Sequence, residues 1–203
     1  MKFMGIDFGS ILENILPSVW YLINRHKIIL IAKNPNIGKA DGPFSRYYKL
    51  DEAKLIGRIQ QEHQRAISID DKTVKFTLSL SIALTILATI GNLYTGQVVC
   101  GPIKLALTIM TGLSTIYALI AGISSLGALK TLPTYGYGTD FLIDSISNKE
   151  EIVHSLVMQE KMNVIRQLRN ESSYQCLRNA LLLLIITILI FITAQALGLT
   201  TAQ

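Results

Sequence analysis

Five small polar side chains, Thr77, Ser81, Thr85, Thr89 and Asn92, follow one another at spacings of 4, 4, 4 and 3 along an uncharged stretch. On a helix that spacing places all five on one face. A second uncharged stretch offers Thr108, Thr111, Gly112, Thr115, Ala118, Gly122 and Ser125 on a similar face. Two kinds of chemistry suit such stripes. Several copies of the chain could line an aqueous path with them. Alternatively, small residues let two helices approach closely, and Ser or Thr hydroxyls bond back to their own backbone. No carboxylate, histidine or arginine interrupts either stretch. A proton relay, a buried ion pair and a voltage sensor are therefore excluded there, and active pumping is not expected.

Other motifs carry less. Thr134-Tyr135-Gly136-Tyr137-Gly138-Thr139-Asp140 is similar to the selectivity-filter sequence of potassium channels, with Tyr135 where valine is usual. A filter needs a preceding pore helix and an outward location. This stretch instead follows a long apolar segment directly, so a glycine-rich turn is expected. Arg58 and His63 satisfy the R-x4-H spacing of the HEPN-type ribonucleases, but Ile59 stands where that family usually carries a polar residue. Positions five apart on one helix point about 140° away from each other, so a solvated helix face is expected. His26 and His154 are isolated, and no cysteine or carboxylate cluster has metal-ligand spacing. No catalytic residue, cofactor or metal is expected, and the chain is not read as an enzyme.

The elements that hold these residues follow from where charge is missing. Charges vanish from Phe76 to Ile103, from Leu105 to Leu129 and from Asn179 onward, within a chain of mean hydropathy +0.39. Soluble amphipathic helices return a charge every turn or two. The expected fold is thus an all-α membrane protein with three transmembrane helices, four if residues 11–32 also span, and cytoplasmic amphipathic helices. Residues 1–50 form a cytoplasmic or interfacial segment, and residues 51–74 a cytoplasmic helix. Residues 75–129 make a transmembrane hairpin, and 130–147 a cytoplasmic turn. Residues 148–198 make one amphipathic helix that continues into the third span, because no proline or glycine precedes Gly198 there. Its last nineteen residues, Asn179–Leu197, at about 1.5 Å each, approach the roughly 30 Å of a bilayer core. The first two spans are expected to face protein, and the third, nearly all Leu and Ile, to face lipid.

The formal charge of +5 is placed, not spread. Residues 1–75 hold 12 Lys and Arg against 8 Asp and Glu, and residues 128–178 hold 6 against 6. The 96–102 loop and the tail after Gly198 hold no Lys or Arg. The positive-inside rule then puts the N-terminus in the cytoplasm and the C-terminus outside. The basic excess suits anionic lipid, and direct nucleic-acid binding is not expected. No cleavable signal peptide is expected, since Asp7 and Glu13 interrupt the apolar start. Residues 10–24 read as an interfacial helix with Trp20 and Tyr21 at headgroup depth. Lys27–Lys33 is either a short strand or a continuation of that helix. Cys100 and Cys176 fall on opposite sides and cannot pair within one chain.

The order of parts resembles the small membrane effectors of bacterial antiphage signalling, the Pycsar and CBASS transmembrane group. A helix ending in Ser68-Ile69-Asp70-Asp71-Lys72 runs into a two-span hairpin. A segment with Pro133, Tyr137, Gly138 and Asp140 follows, then an amphipathic helix with Gln159, Lys161, Ile165, Leu168 and Arg169. The membrane subunit of a Kiwa-like system has the same general layout. What the resemblance implies is a homo-oligomer in the bacterial inner membrane, opened through its cytoplasmic helices. Ile152, Leu156, Val164 and Leu168 are the residues expected to meet a cytoplasmic partner protein. The alternative is a non-conducting anchor that recruits a soluble effector through the same helix.

Overall fold

A computed structural model describes residues 2–3, 6–7, 13–97, 101–128, 132–145 and 148–199. Two two-residue strands, β1 (Lys2–Phe3) and β2 (Ile6–Asp7), pair antiparallel with Lys2 opposite Asp7. The main helical elements after them are α1 (Pro17–Ala32), a 3-10 turn (Ser45–Lys49), α2 (Glu52–Gln97), α3 (Gly101–Ala128), α4 (Thr139–Asp144) and α5 (Lys149–Ala196). Two of these helices, α3 over Gly101–Leu126 and α5, are long and apolar enough to cross a membrane. The stretch expected as a further span, Lys75–Thr95, forms the second half of α2 without a break.

Local chemistry explains the helix starts. Pro17 opens α1 at the position where a missing N–H costs nothing. The Asp51 carboxylate accepts the Lys54 N–H at 2.7 Å ahead of α2. That bond, with the Lys54 ammonium, holds the Asp51 carboxyl below its ordinary range. Asn148 accepts the Glu151 N–H at 3.3 Å ahead of α5. Lys27–Lys33 continues α1 as helix almost to its end.

The chain divides into two compact units. Unit 1 comprises residues 1–20, 74–127 and 171–203. Small residues dominate its interior: Ala83 of α2, Ser114, Ala118, Ala121 and Ser125 of α3, and Ala180 and Ala194 of α5 are buried. The Ser114 hydroxyl donates to the Ala180 carbonyl at 2.6 Å, a bond that close backbone approach permits. The expectation that the third span faces lipid alone is therefore corrected. Cys176, Ala180 and Leu184 pack on Leu80, Ala118 and Ala121, while Leu182, Ile185 and Leu189 stay exposed. An unbroken Leu/Ile run has no period to reveal its inward side; its few small residues mark it. Residues 13–18 are tied to the same unit. Asn179 Nδ2 donates to the Asn14 carbonyl at 2.6 Å, and the Tyr117 hydroxyl to the Ile15 carbonyl at 2.7 Å.

Unit 2 comprises residues 21–73 and 128–170. Its core sets Leu55 and Ile59 of α2 against Ile152, Val153, Leu156 and Val157 of α5, with Ile37 closing one end. A second cluster joins Tyr21 of α1 to Met162 and Ile165. Tyr21, expected beside Trp20 on an interfacial helix, is therefore buried within unit 2. Its hydroxyl accepts from Arg169 Nε at 3.1 Å, and the guanidinium lies 5.8 Å over its ring. The opposite face of α1 exposes Leu22, Ile23, Leu30 and Ile31, with His26 and Lys27 between them.

The 34–50 segment lies close against α5. A Cβ on Gly38 would sit 2.9 Å from the Glu150 carbonyl oxygen and 2.9 Å from the His154 Cβ. Lys149 donates to the Tyr48 carbonyl at 3.0 Å, and Tyr47 donates to the Glu160 carboxylate at 2.7 Å. Burial first, then that carboxylate, raises the Tyr47 phenol above its ordinary range.

Candidate functional site

The α2–α5 face of unit 2 is polar where an amphipathic pattern predicts solvent. Glu62 of α2 and Gln159, Asn163 and Arg166 of α5 are all buried. Their spacing of 4 and 3 along α5 places the last three on one inward stripe. Asn163 Nδ2 donates to the Glu62 carbonyl at 2.7 Å and to its carboxylate at 2.8 Å. Asn163 Oδ1 accepts from Arg166 at 2.8 Å and from Gln159 at 3.2 Å. One amide side chain thus joins three neighbours.

This seam also holds the glycine-rich turn. The Gln159 amide oxygen accepts the Tyr135 N–H at 2.9 Å, and the Tyr135 carbonyl accepts from His63 Nε2 at 2.8 Å. A carbonyl can only accept, so Nε2 carries the proton and Nδ1 is left as the acceptor in the neutral ring. Arg166 reaches the Leu132 carbonyl at 3.3 Å. Gly136 and Gly138 have φ of +70° and +96°, as a glycine-rich turn requires. With the Tyr135 carbonyl occupied by His63, the stretch does not present the free carbonyl ring of an ion filter.

Gly136 is under two constraints at once. Its φ disfavours any side chain, and a Cβ would lie 2.8 Å from the Ile59 Cγ2. Gly136→Ala is expected to cost about 1–3 kcal/mol, read as a lower midpoint in denaturant unfolding followed by circular dichroism. Gly138→Ala, with open space around its Cβ position, bears the backbone strain alone and should cost less.

Between the turn and the helices lies a cleft of about 340 Å³ lined by His63, Ala66, Ile67, Asp70, Thr134, Tyr137 and Arg166. The His63 and Tyr137 rings meet edge to face, with centroids 5.8 Å apart. Tyr137 is 77% exposed, so the wall it forms faces solvent. Arg58 and His63 do not converge. Arg58 pairs with Glu62 at 3.1 Å and Glu160 at 3.8 Å, whereas His63 holds the turn. Among the described residues no group of three or more His, Cys, Asp or Glu is placed to hold a metal ion.

The residues singled out as partner-binding are placed otherwise. Ile152 and Leu156 lie inside unit 2's own core, at 1% and 0% exposure, covered by Leu55 and Ile59. They are corrected to core residues, because the apolar stripe of α5 is already filled by α2. Val164 and Leu168 are half-buried, and Leu168 packs at the edge of the Tyr21 cluster.

The hydroxyl stripes are resolved in part. The side chains of Thr77, Ser81 and Asn92 lie outside the described residues, as does Cys100. Thr85, Thr89 and Thr108 are exposed, and Thr115 is half-buried. Thr89, Thr108 and Thr115 donate to the carbonyls of Thr85, Lys104 and Thr111, each four residues back. Gly122 sits where a Cβ would come within 3.1 Å of Leu80 Cδ2, a packing position. Cys176 is a buried free thiol. Sequence reasoning missed Glu62, Asn163 and Arg166; their only signal was helical spacing among residues that are usually solvated. No protein-family model, curated protein or solved structure matches this chain.

Proposed function

We propose that the chain is an oligomeric inner-membrane protein of a prokaryotic antiphage defence system, and that it permeabilises the membrane when unit 2 is triggered from the cytoplasm. The observation that carries this reading is an apolar face left open on both candidate spanning helices. Leu105, Ile109, Ile116 and Ile123 of α3, and Leu182, Ile185, Leu189 and Ile192 of α5, are 52–70% exposed. A core helix of a soluble protein buries such a face; at about 25 cal/mol per Å² of apolar surface, water is a poor solvent for it. Lipid or further copies of the chain would cover it. The second half of α2 supplies a third crossing, and the exposed Leu22, Ile23, Leu30 and Ile31 of α1 rest in the interface with Lys27 at the headgroups.

Triggering uses the continuity of α2 and α5. Each is one unbroken helix contributing to both units. A displacement of Ile152–Leu168 against Leu55–Ile67 would then be carried along the helix axis. Because Ile152 and Leu156 are internal, a cytoplasmic partner would act on other surfaces of unit 2.

Induced expression in cells loaded with a potential-sensitive dye tests the reading. The unaltered chain should depolarise the membrane, and the triple variant Thr85→Leu, Thr89→Leu, Thr108→Leu should insert equally and depolarise far less. Full depolarisation by the triple variant removes these hydroxyls from any conducting path. A non-conducting anchor is the second reading, favoured by the back-bonded Thr89, Thr108 and Thr115, none of which needs water. It predicts an unchanged potential and co-purification of a soluble partner.

A further inference from the structure

The geometry points to a binding site for a phosphate group in the unit 2 cleft, with Arg166 as its anchor. Arg166 is only 8% exposed, yet no carboxylate among the described residues lies within ion-pair distance of it. Its guanidinium is held by neutral acceptors alone, the Asn163 amide and the Leu132 carbonyl. The nearest buried carboxylate in the seam, Glu62, is already paired with Arg58 at 3.1 Å and Arg65 at 3.4 Å. Two guanidiniums thus share Glu62, and the third, Arg166, lines the cleft with no carboxylate among the described residues within ion-pair distance. A buried cation without an anion is unfavourable, and an anionic ligand is the direct way to offset that.

The remaining walls narrow the class. Thr134 and Tyr137 each bring a hydroxyl able to donate beside the Arg166 guanidinium, so the cleft offers more donors than a carboxylate's two oxygens use. A phosphate, with three terminal oxygens, matches them better. Ala66 and Ile67 leave an apolar wall for whatever carries the phosphate, and Asp70 is an acceptor for a hydroxyl or N–H on it. The volume of about 340 Å³ lies at the low end of small-molecule sites. The source is either a free phosphorylated solute or a lipid headgroup. The site deepens the proposed function only in offering the trigger; phosphate binding itself needs no conductance.

The probe is inorganic phosphate, titrated at constant ionic strength into the detergent-solubilised full chain, with thermal unfolding read by circular dichroism. A saturating rise in Tm is expected, weakened about tenfold or more in apparent affinity by Arg166→Gln, as befits loss of a charge-assisted bond. A rise that never saturates, or one identical in Arg166→Gln, overturns the site. Should Arg166→Gln fail to fold, Thr134→Val and Tyr137→Ala, both at exposed positions, decide it; an unchanged response in both overturns the proposal. Nanodiscs then separate the sources. If phosphatidylglycerol discs raise Tm relative to phosphatidylcholine discs and abolish the phosphate response, the ligand is a headgroup. An equal phosphate response in both discs identifies a free solute. Both results uphold the site, whatever the outcome of the depolarisation assay.

Discussion

Leu156→Glu abolishes the fold of unit 2. Leu156 is fully buried among Leu55, Ile59, Ile152 and Val153, an apolar cluster whose own side chains give a carboxylate no hydrogen-bond donor. Two costs add there. Removing a buried leucine's contacts costs about 2–5 kcal/mol, and an unpaired buried charge costs about 3–5 kcal/mol more. Their sum rivals the whole stability of a domain, about 5–15 kcal/mol. Limited proteolysis should cut the variant within residues 34–50 and 132–145, while carbonate extraction leaves it in the membrane fraction. Protease resistance equal to that of the unaltered chain would show that this core is not as described. Leu168→Glu, at a half-buried edge position, should retain the fold. Leu168 is accordingly the position at which a charge tests the coupling between units, since Leu156 reports on folding alone.

Asn163→Leu carries the second large effect. The substitution removes at once the donor to the Glu62 carboxylate and carbonyl and the acceptor for Arg166 and Gln159. Glu62 keeps its pairing with Arg58 and Arg65, but Arg166 is left with the Leu132 carbonyl alone. Hydrogen bonds to charged groups are worth about 1.5–3 kcal/mol each, more than one neutral hydrogen bond at about 1 kcal/mol. Urea unfolding followed by circular dichroism should show the loss as a shifted midpoint at unchanged slope. Gln167→Ala is the control. It removes the exposed bond from Arg65 to Gln167 and should move the midpoint by about 0.5 kcal/mol or less. Equal shifts in the two variants would mean that the buried seam contributes no more than a surface contact.

How far the sequence could be read depends on the length scale of each feature. The continuity of α5 was legible because a run from Asn148 to Leu197 without proline or glycine leaves nothing to break it, and the helix spans Lys149–Ala196. The turn at Gly136 and Gly138 was legible for the same local reason. The apolar stripe of Ile152 and Leu156 was visible too, but not its cover. Leu55 and Ile59 lie about a hundred residues away, and no periodicity reports on so distant a partner. A stripe that reads as a docking face therefore proved to be a core. Asn163 and Glu62 were illegible because polar residues at helical spacing are ordinarily solvated. Only their mutual placement, 101 positions apart, makes their burial affordable. In the uncharged half of α5 the difficulty is the reverse: most residues are apolar, so little contrast marks Ala180 and Leu184 as inward.

Thr89, Thr108, Thr115, Thr187 and Thr193 each close a bond onto the preceding turn of their own helix. A threonine so occupied shows its surroundings a methyl and an oxygen whose proton is already spoken for. It is about as comfortable beside an acyl chain as beside a neighbouring subunit or a file of water. Rotating such a helix from one environment to another therefore strands no donor, and rearrangement within the bilayer meets little polar resistance from these side chains.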